Sequence, residues 1–409
     1  MRLAGWILVI MKVLLVHNFY GSSAPSGENV VFNAEKALLE QHGHTLEVFT
    51  RDSDEIRRQG FRGAIKGAAS TPWNPFAVMA LRKLVKDFKP DVVHAHNTFP
   101  LISPAVFHAV GIRAARVLTL HNYRLLCPAA IPMRDGTVCT DCILQRSVLP
   151  ALQHGCYRNS RLATLPLAAN VALHRWLRTW YTQVDAFVAL SDFQKQLMVQ
   201  GGLPAQRLHV KPNFYTGNPK VLPYETRSGY VVFVGRLGQE KGVHTLIEAW
   251  RRWGVNAPEL RLVGDGPLHG KLQKMAQGLR VQFLGQVSAS EAQAQIANAR
   301  LLVLPSECFE GFPMVVREAF AFGTPVAVSR LGPLPSIVQH GDNGLVFEPA
   351  NAASLLSVLQ SALSDSDALA TMSVGARHAF DSLYNEKANY RMLMDIYQQA
   401  ITINQSKLS

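Results

Sequence analysis

Acidic residues are scarce in this chain: 29 Asp and Glu stand against 41 Lys and Arg, a net charge of +12. Charged residues make up only 17% and hydrophobic residues 48%, which excludes a largely disordered polyelectrolyte and describes a folded globular protein. The basic excess suits nucleic acid, an anionic membrane surface or a phosphorylated substrate, and does not choose among them. Long apolar runs are missing too. No stretch offers the roughly 20 consecutive apolar residues of a membrane span, so the chain reads as soluble or at most peripheral. Residues 1–16, MRLAGWILVIMKVLLV, look like an export signal, yet HNFYGSSAPSGEN follows where a cleavage site is needed. From Met11 the same run is an ordinary buried first strand. Residues 1–10 are then an upstream extension, with a short membrane-touching segment as the alternative. Cysteine is also sparse, five in 409 residues, and four of the five are Cys127, Cys139, Cys142 and Cys156. The expected location is cytoplasmic, soluble or peripheral at the inner face of the membrane, where disulfides are not the default.

What is present is alternation. Short β-rich runs at 12–16, 45–50, 91–96, 116–121 and 185–190 alternate with segments of helical period. One such segment is 29–41, with Val30, Ala34, Ala37 and Leu38 as its apolar stripe. Another is 76–88, built around Phe76, Met79, Leu84 and Val85. Runs at 230–235, 260–264, 281–285, 301–305 and 325–329 repeat the plan. Near-continuous apolar strands followed by helices mean parallel sheets covered on both faces. Two successive sets, in a chain too long for one core, mean two doubly wound Rossmann-like α/β domains. The expected division is a first domain at 11–211 with a cysteine-bearing insertion at 124–180, a Pro- and Gly-rich linker at 212–229, and a second domain at 230–385. A last helix, within 386–409, is expected to pack back on the first domain. Open parallel sheets bind ligands beyond the carboxyl ends of their strands, so two facing domains form a cleft there.

The loops after the strands carry the chemistry. GRLGQEKG follows 230–235 and puts Arg236 and Lys241 beside a helix start, where free N–H groups already favour an anion. Two cations there suit a diphosphate; the bland reading is a solvated turn with two surface cations. GDGP follows 260–264 and by itself is also a plain turn. In LLVLPSECFEGFPMVVREAFAFGTPVAV, at 301–328, a loop carries Glu307 and Glu310, and Pro313 suits the first turn of a helix. Glu318 then falls among Val315, Val316, Ala319 and Phe320. A carboxylate among apolar neighbours needs a partner, and a ribose diol is a suitable one. The plainer readings are an exposed helix residue for Glu318 and a loop charge for Glu310. A catalytic metal would call for Asp-x-Asp after a strand. Asp52-Ser53-Asp54 lies in a polar run of the first half and Asp365-Ser366-Asp367 in a surface helix-loop, so no cofactor is expected for catalysis.

The spacing Glu310-x7-Glu318 within E-G-F-P-x4-E-A-x-A-x-G-x-P-V resembles the signature of family 4 retaining glycosyltransferases, which have the GT-B fold. G-R-L-x-x-E-K-G at 235–242, V-G-D-G-P at 263–267 and G-D-N-G-L-V-F at 341–347 occur in that family's order, and the resemblance spans residues 11–400. It implies that Arg236 and Lys241 bind a donor diphosphate and stabilise the departing charge, which fixed cations do without a metal. It implies Glu318 on ribose hydroxyls, Glu310 on the transferred sugar, and backbone around Phe312, Pro313 and Met314 near phosphate or sugar. Gly27, in a Ser26-Gly27 pair where the family has Gly-Gly, lets the donor approach the backbone. Asn18 and Glu28 nearby read as structural. His121 ends a strand where it would point into the cleft, to orient an acceptor hydroxyl or contact the sugar. His96 borders the same cleft, and it and His94 also read as packing residues.

The reaction so implied is hexosyl transfer, with retention, from a UDP- or GDP-sugar to a glycan or lipid-linked acceptor on the first domain. Surface polysaccharide or lipopolysaccharide assembly is the setting. No recognised nucleic-acid module is present. The four clustered cysteines, spaced C-x11-C-x2-C-x13-C, match a structural zinc site, with free thiols and disulfides as the other readings. Arg146, Arg158, Arg161, Arg175 and Arg178 with Trp176 and Trp180 suit a membrane surface or a plain exposed helical face. Two other classes fit the architecture: a two-domain sugar-binding protein without chemistry, and a same-fold nucleotide-sugar epimerase or hydrolase.

Overall fold

The computed structural model describes residues 10–21 and 26–407. The reading of residues 1–10 thus lies almost wholly outside the described residues, as does 22–25 of the first Gly-containing turn.

The first half forms strands β1 (Lys12–Phe19), β2 (Thr45–Asp52), β3 (Val92–Asn97) and β4 (Ala115–Leu120). A two-residue antiparallel ribbon follows, β5 (Met133–Arg134) with β6 (Thr137–Val138), and then β7 (Ala186–Ala189) and β8 (Leu208–Val210). The second half forms β9 (Tyr230–Val234), β10 (Glu259–Val263), β11 (Val281–Gly285), β12 (Leu301–Leu304), β13 (Val326–Ser329) and β14 (Gly344–Phe347). They assemble into two parallel sheets, ordered β2-β1-β3-β4-β7-β8 and β11-β10-β9-β12-β13-β14. Most of these strands are fully buried, as sheets covered by helices on both faces require. β8 and β14 are additions to the strands read from apolar runs. Each is short and completes the far edge of its sheet.

Two helices turn a different face inward from the one their sequence suggests. Gly27–Gln41 buries Val31, Phe32, Glu35, Leu38 and Leu39, while Val30 faces outward. Pro75–Phe88 starts where Asn74 accepts from the backbone N–H groups of Phe76 and Ala77. It buries Ala77, Val78, Leu81 and Val85, leaving Phe76 74% and Met79 58% exposed. In the second helix the inward face carries small and branched residues and not its largest apolar ones.

The last helix, Glu386–Gln405, returns to the first sheet. Its Leu393, Ile396, Tyr397 and Ala400 share one core with Val13, Leu15, Val117 and Val188. The halves also interlock at the cleft. Phe309 of the second half stacks edge-on against Phe193 of the first at 4.7 Å, and Leu190 of the first joins the second core. Among the described residues, no helix is long and apolar enough to cross a membrane.

Candidate functional site

Strand order reverses between β9 and β12 in the second sheet and between β1 and β3 in the first. Loops leaving such neighbouring strands part to opposite faces and open a crevice at their carboxyl ends. The loop after β9 is GRLGQEKG and the loop after β12 is SECFEGFP. Both motifs therefore flank one crevice.

Backbone packing shapes this crevice. Gly242 has φ +64°, and a Cβ there would lie 2.0 Å from the Pro305 carbonyl oxygen, so only glycine lets the two loops touch. Glu307 N–H donates to the Glu240 carbonyl at 2.9 Å across the same seam. The Glu307 carboxylate accepts from Thr245 Oγ1 at 2.8 Å and lies 3.2 Å from His244 Nε2, which ties the β12 loop to the helix Val243–Trp253. The G-D-G-P turn closes the other side. Leu237 N–H donates to Asp265 O at 3.0 Å, and a Cβ on Gly266 would lie 2.6 Å from Leu237 O.

Within that frame, Lys241 Nζ and Glu310 Oε1 are 2.6 Å apart, and Ser306 Oγ donates to the same oxygen at 2.5 Å. Burial opposes the charge of Lys241, but Glu310 outweighs it and raises the ammonium's pKa, so it stays charged. Arg236 is exposed and makes no side-chain hydrogen bond or ion pair among the described residues. Pro313 is the extended residue just before the helix Met314–Ala321, one place earlier than its expected first-turn position. The Glu318 carboxylate, in that helix, has no hydrogen-bond partner among the described residues. Burial raises its pKa, partly offset by Arg317. Arg317 is itself buried, with its guanidinium pushed down to about 10 by desolvation. An under-partnered, desolvated carboxylate is what a diol-binding group looks like before its ligand arrives.

The first half faces this crevice closely. A Cβ on Gly27 would meet Met314 at 3.2 Å, and Asn213 Nδ2 donates to Met314 Sδ at 3.5 Å. Phe312 is buried and packs on Tyr384 at 5.5 Å. Tyr123 OH donates to the Glu310 carbonyl at 3.4 Å. His121 directly follows β4, one place beyond the strand it was expected to end, and lines a cavity of about 40 Å³ with His96, Arg124, Asn170 and Trp180. Arg124 Nε, Asn170 Oδ1 and Trp180 Nε1 are buried there without partners. His121 is held neutral, its pKa lowered first by burial and then by the neighbouring His96 and His17. Glu28 accepts from Asn122 Nδ2 at 2.8 Å, and Asn18 is spent on Ser53 and Leu101, a structural use.

Local patterning missed a buried charge network behind His121. Glu35, His94, His96 and Lys211 converge there from three separate segments, the two histidines sharing β3. A glutamate on the apolar face of a helix was the available signal. Cys127, Cys139, Cys142 and Cys156 line a second cavity of about 10 Å³ and are free thiols. Among the described residues, no three of those sulfurs lie within 4.8 Å of one another. Burial pushes the thiol of Cys127 up to about 12 and that of Cys142 to about 11.

Two facing Rossmann-like domains with cationic and carboxylate loops at a shared cleft define the GT-B architecture. The family models for Glycosyltransferase Family 4 and for Glycosyl transferases group 1 match residues 27–215 and 217–379, and the chain belongs to this family. It is similar to a sulfoquinovosyl transferase of Arabidopsis thaliana, 25% identical over 327 residues, 77% of this chain. The match spans 58% of that relative's length. In fold it is similar to a glycosyltransferase from Rickettsia africae (TM-score 0.68, 15% identity, 96% of this chain and 99% of that one). It is also similar to Anabaena HepE, solved with UDP and glucose (TM-score 0.61, 19% identity, 95% and 100% of the two chains).

Proposed function

We propose that this chain transfers a hexose from a nucleotide-sugar, UDP- or GDP-linked, to a glycan or lipid-linked acceptor in surface polysaccharide assembly, with net retention. The observation that carries the reading is the crevice at the β9/β12 reversal. Lys241 and Glu310 pair there at 2.6 Å, and Arg236 and Glu318 remain without partners on the same two loop-helix units. Arg236 and Lys241 take the diphosphate and stabilise the charge that builds on it as the sugar leaves. Oriented cations in a partly dry cleft do this without moving. Glu318 takes the ribose hydroxyls and Glu310 the transferred sugar. Backbone at Phe312, Pro313 and Met314 flanks the phosphates, with Gly27 leaving room on the opposite wall. His121, as a neutral imidazole, orients a hydroxyl of the sugar or acceptor. The presence of UDP and glucose in the Anabaena structure supports a nucleotide-sugar in a fold of this kind.

Two further assignments belong to this reading. The four clustered cysteines hold a structural zinc. The first domain rests on an anionic membrane face, where lipid-linked acceptors are found, through the helices Gly60–Ser70 and Arg161–Trp176. These pack on each other and carry exposed Phe61, Ile65, Leu162, Leu165 and Trp176 beside Arg62, Lys66 and Arg161.

A thermal-shift screen of UDP-, GDP- and ADP-sugars tests the donor assignment, since a ligand bound to the folded state raises its stability by mass action. One donor class is expected to raise Tm, and Lys241→Ala to abolish that rise, whereas His121→Ala keeps it and loses transfer. An undiminished rise in Lys241→Ala would refute the site.

A further inference from the structure

Behind His121, the first domain holds a buried charge pair that the donor site does not use. Glu35 projects from the helix Gly27–Gln41 and is fully buried. Its Oε2 accepts from Lys211 Nζ at 2.8 Å, and Lys211 also donates to Asn389 Oδ1 at 3.2 Å. Lys211 directly follows β8, and Asn389 belongs to the returning last helix. The other oxygen, Oε1, lies 3.4 Å from His96 Nε2 and 3.2 Å from His94 Nδ1. His96 Nδ1 in turn lies 3.1 Å from His121 Nε2.

Glu35, His94 and His96 put three ligand-type atoms within 4.8 Å of one another. The cluster is nevertheless an ion-pair network and not a cation site. Glu35 already faces the Lys211 ammonium, and both His94 nitrogens are spent, Nδ1 on Tyr397 OH and Nε2 on Thr119 Oγ1, each at 2.8 Å. Burial alone would raise the carboxyl's pKa, but Lys211 and then His96 hold it well below the usual range, so Glu35 is ionised and can only accept. His17 and His94 are neutral, both through burial.

The geometry points to Glu35 as a positioning residue that, through His96, fixes which nitrogen of His121 carries the proton. An ionised carboxylate 3.4 Å from His96 Nε2 favours the proton on that nitrogen, because the opposite tautomer would aim a lone pair at a negative oxygen. His96 Nδ1 is then bare and accepts from His121 Nε2–H. That leaves His121 Nδ1 bare as well, and this nitrogen has no partner among the described residues, on a ring that lines the 40 Å³ cavity. His121 therefore presents an acceptor, suited to the hydroxyl of a sugar and unsuited to a phosphate oxygen. The inference rests on the proposed role of His121 in transfer, and what it adds is the carboxylate–imidazole contact of Glu35 with His96.

Histidine tautomers measured by long-range ¹H–¹⁵N correlation on the ¹⁵N-histidine-labelled full chain test this directly, with His121→Gln and His96→Gln used for assignment. The expected result is Nε2–H with bare Nδ1 for both rings. Glu35→Gln is expected to mix the tautomers and lower kcat by roughly tenfold or more while the donor-induced rise in Tm persists. A wild-type His121 protonated on Nδ1 overturns the proposal, whether or not Glu35→Gln folds. So does a folded Glu35→Gln with unchanged tautomers and unchanged kcat. The tautomer needs no acceptor or donor, so a failure of the transferase reading would show separately, as absence of any donor-induced shift.

Discussion

Gly311 and His121 meet backbone to backbone across the cleft: a Cβ built on Gly311 would lie 2.6 Å from the His121 carbonyl oxygen. The loop that carries Glu310 is thereby laid against the strand end that carries His121, and the Tyr123–Glu310 hydrogen bond fixes the same approach. A backbone oxygen cannot swing aside as a flexible side chain can. Gly311→Ala is expected to hold the two loops apart and to lower kcat/KM on the order of 100-fold, the effect of about 1 Å of misplacement at a reacting centre. Because the domains can part slightly instead of straining a core, Tm should move by only a few degrees. Kinetics beside a melting curve check this, and an unimpaired variant would show that the contact does not set the catalytic geometry.

Glu318 gives a prediction with a sign in pH. Its pKa is raised by burial, with Arg317 offsetting only part. In the unfolded chain it ionises in the ordinary carboxylate range; in the folded chain it does so higher. Its contribution to stability is therefore fully present below the ordinary range and is lost as pH rises through the raised folded value. Above that raised value the protein carries a desolvated charge that Arg317 offsets only in part. Glu318→Gln removes it and should raise Tm by a few degrees near pH 7, the gain shrinking towards zero as pH falls to about 4. The same variant should lose the donor-induced shift. A Tm difference that is independent of pH would mean that the carboxylate is already compensated.

The contrast between Glu318 and Glu35 shows what a sequence reveals here. Glu310, Glu318, Arg236 and Lys241 sit at fixed spacings on strand-loop-helix units, so local pattern was enough to single them out, and the fold pairs Lys241 with Glu310. Glu35 lies 176 residues from Lys211, and only the folding of the last helix and β8 against the helix Gly27–Gln41 joins them. A charged residue on the inward face also broke the apolar stripe of that helix, shifting its expected face to Val30. Phe76 and Met79 misled in the opposite sense, as large apolar side chains left outside because small Ala77 and branched Val78 fit the packed face. The two parallel sheets were legible because buried strands read as apolar runs, whereas the strand order within each came only from the fold. The two edge strands β8 and β14 were not legible, since Leu208–Val210 has His209 at its centre and Gly344–Phe347 begins on a glycine within a turn-like G-D-N-G run.

The exposed apolar face makes the membrane assignment testable. Phe61 is 80% and Leu162 83% exposed, on two helices that touch, with Arg62, Lys66 and Arg161 among them. Apolar insertion and attraction to anionic headgroups reinforce each other on such a face. In flotation with vesicles of mixed neutral and anionic phospholipid, the wild type should bind and Phe61→Ser with Leu162→Ser should lose most binding, with the donor-induced Tm shift intact. Vesicles lacking anionic lipid should bind weakly. Equal recovery of variant and wild type with the vesicles would exclude this face as the docking surface.

The segment from Cys127 to Cys156 has little to hold it. It contains a ribbon of two-residue strands and the short helices Asp141–Leu144 and Leu149–His154, folded around a cavity that four thiols line. A segment with so little regular secondary structure gains from a metal staple. The sulfurs surround the cavity without any three closing on each other among the described residues, and burial pushes the thiols of Cys127 and Cys142 up. Zinc at about 2.3 Å from each sulfur would draw them to about 3.8 Å spacing and deprotonate them. Native mass spectrometry of protein purified without chelator is expected to show one zinc per chain, lost in Cys142→Ser and kept in Cys308→Ser. Stripping the metal should lower Tm and expose the 127–156 segment to protease first, before either sheet. A zinc-free chain with four titratable thiols and an unchanged Tm would leave these cysteines as small buried side chains only.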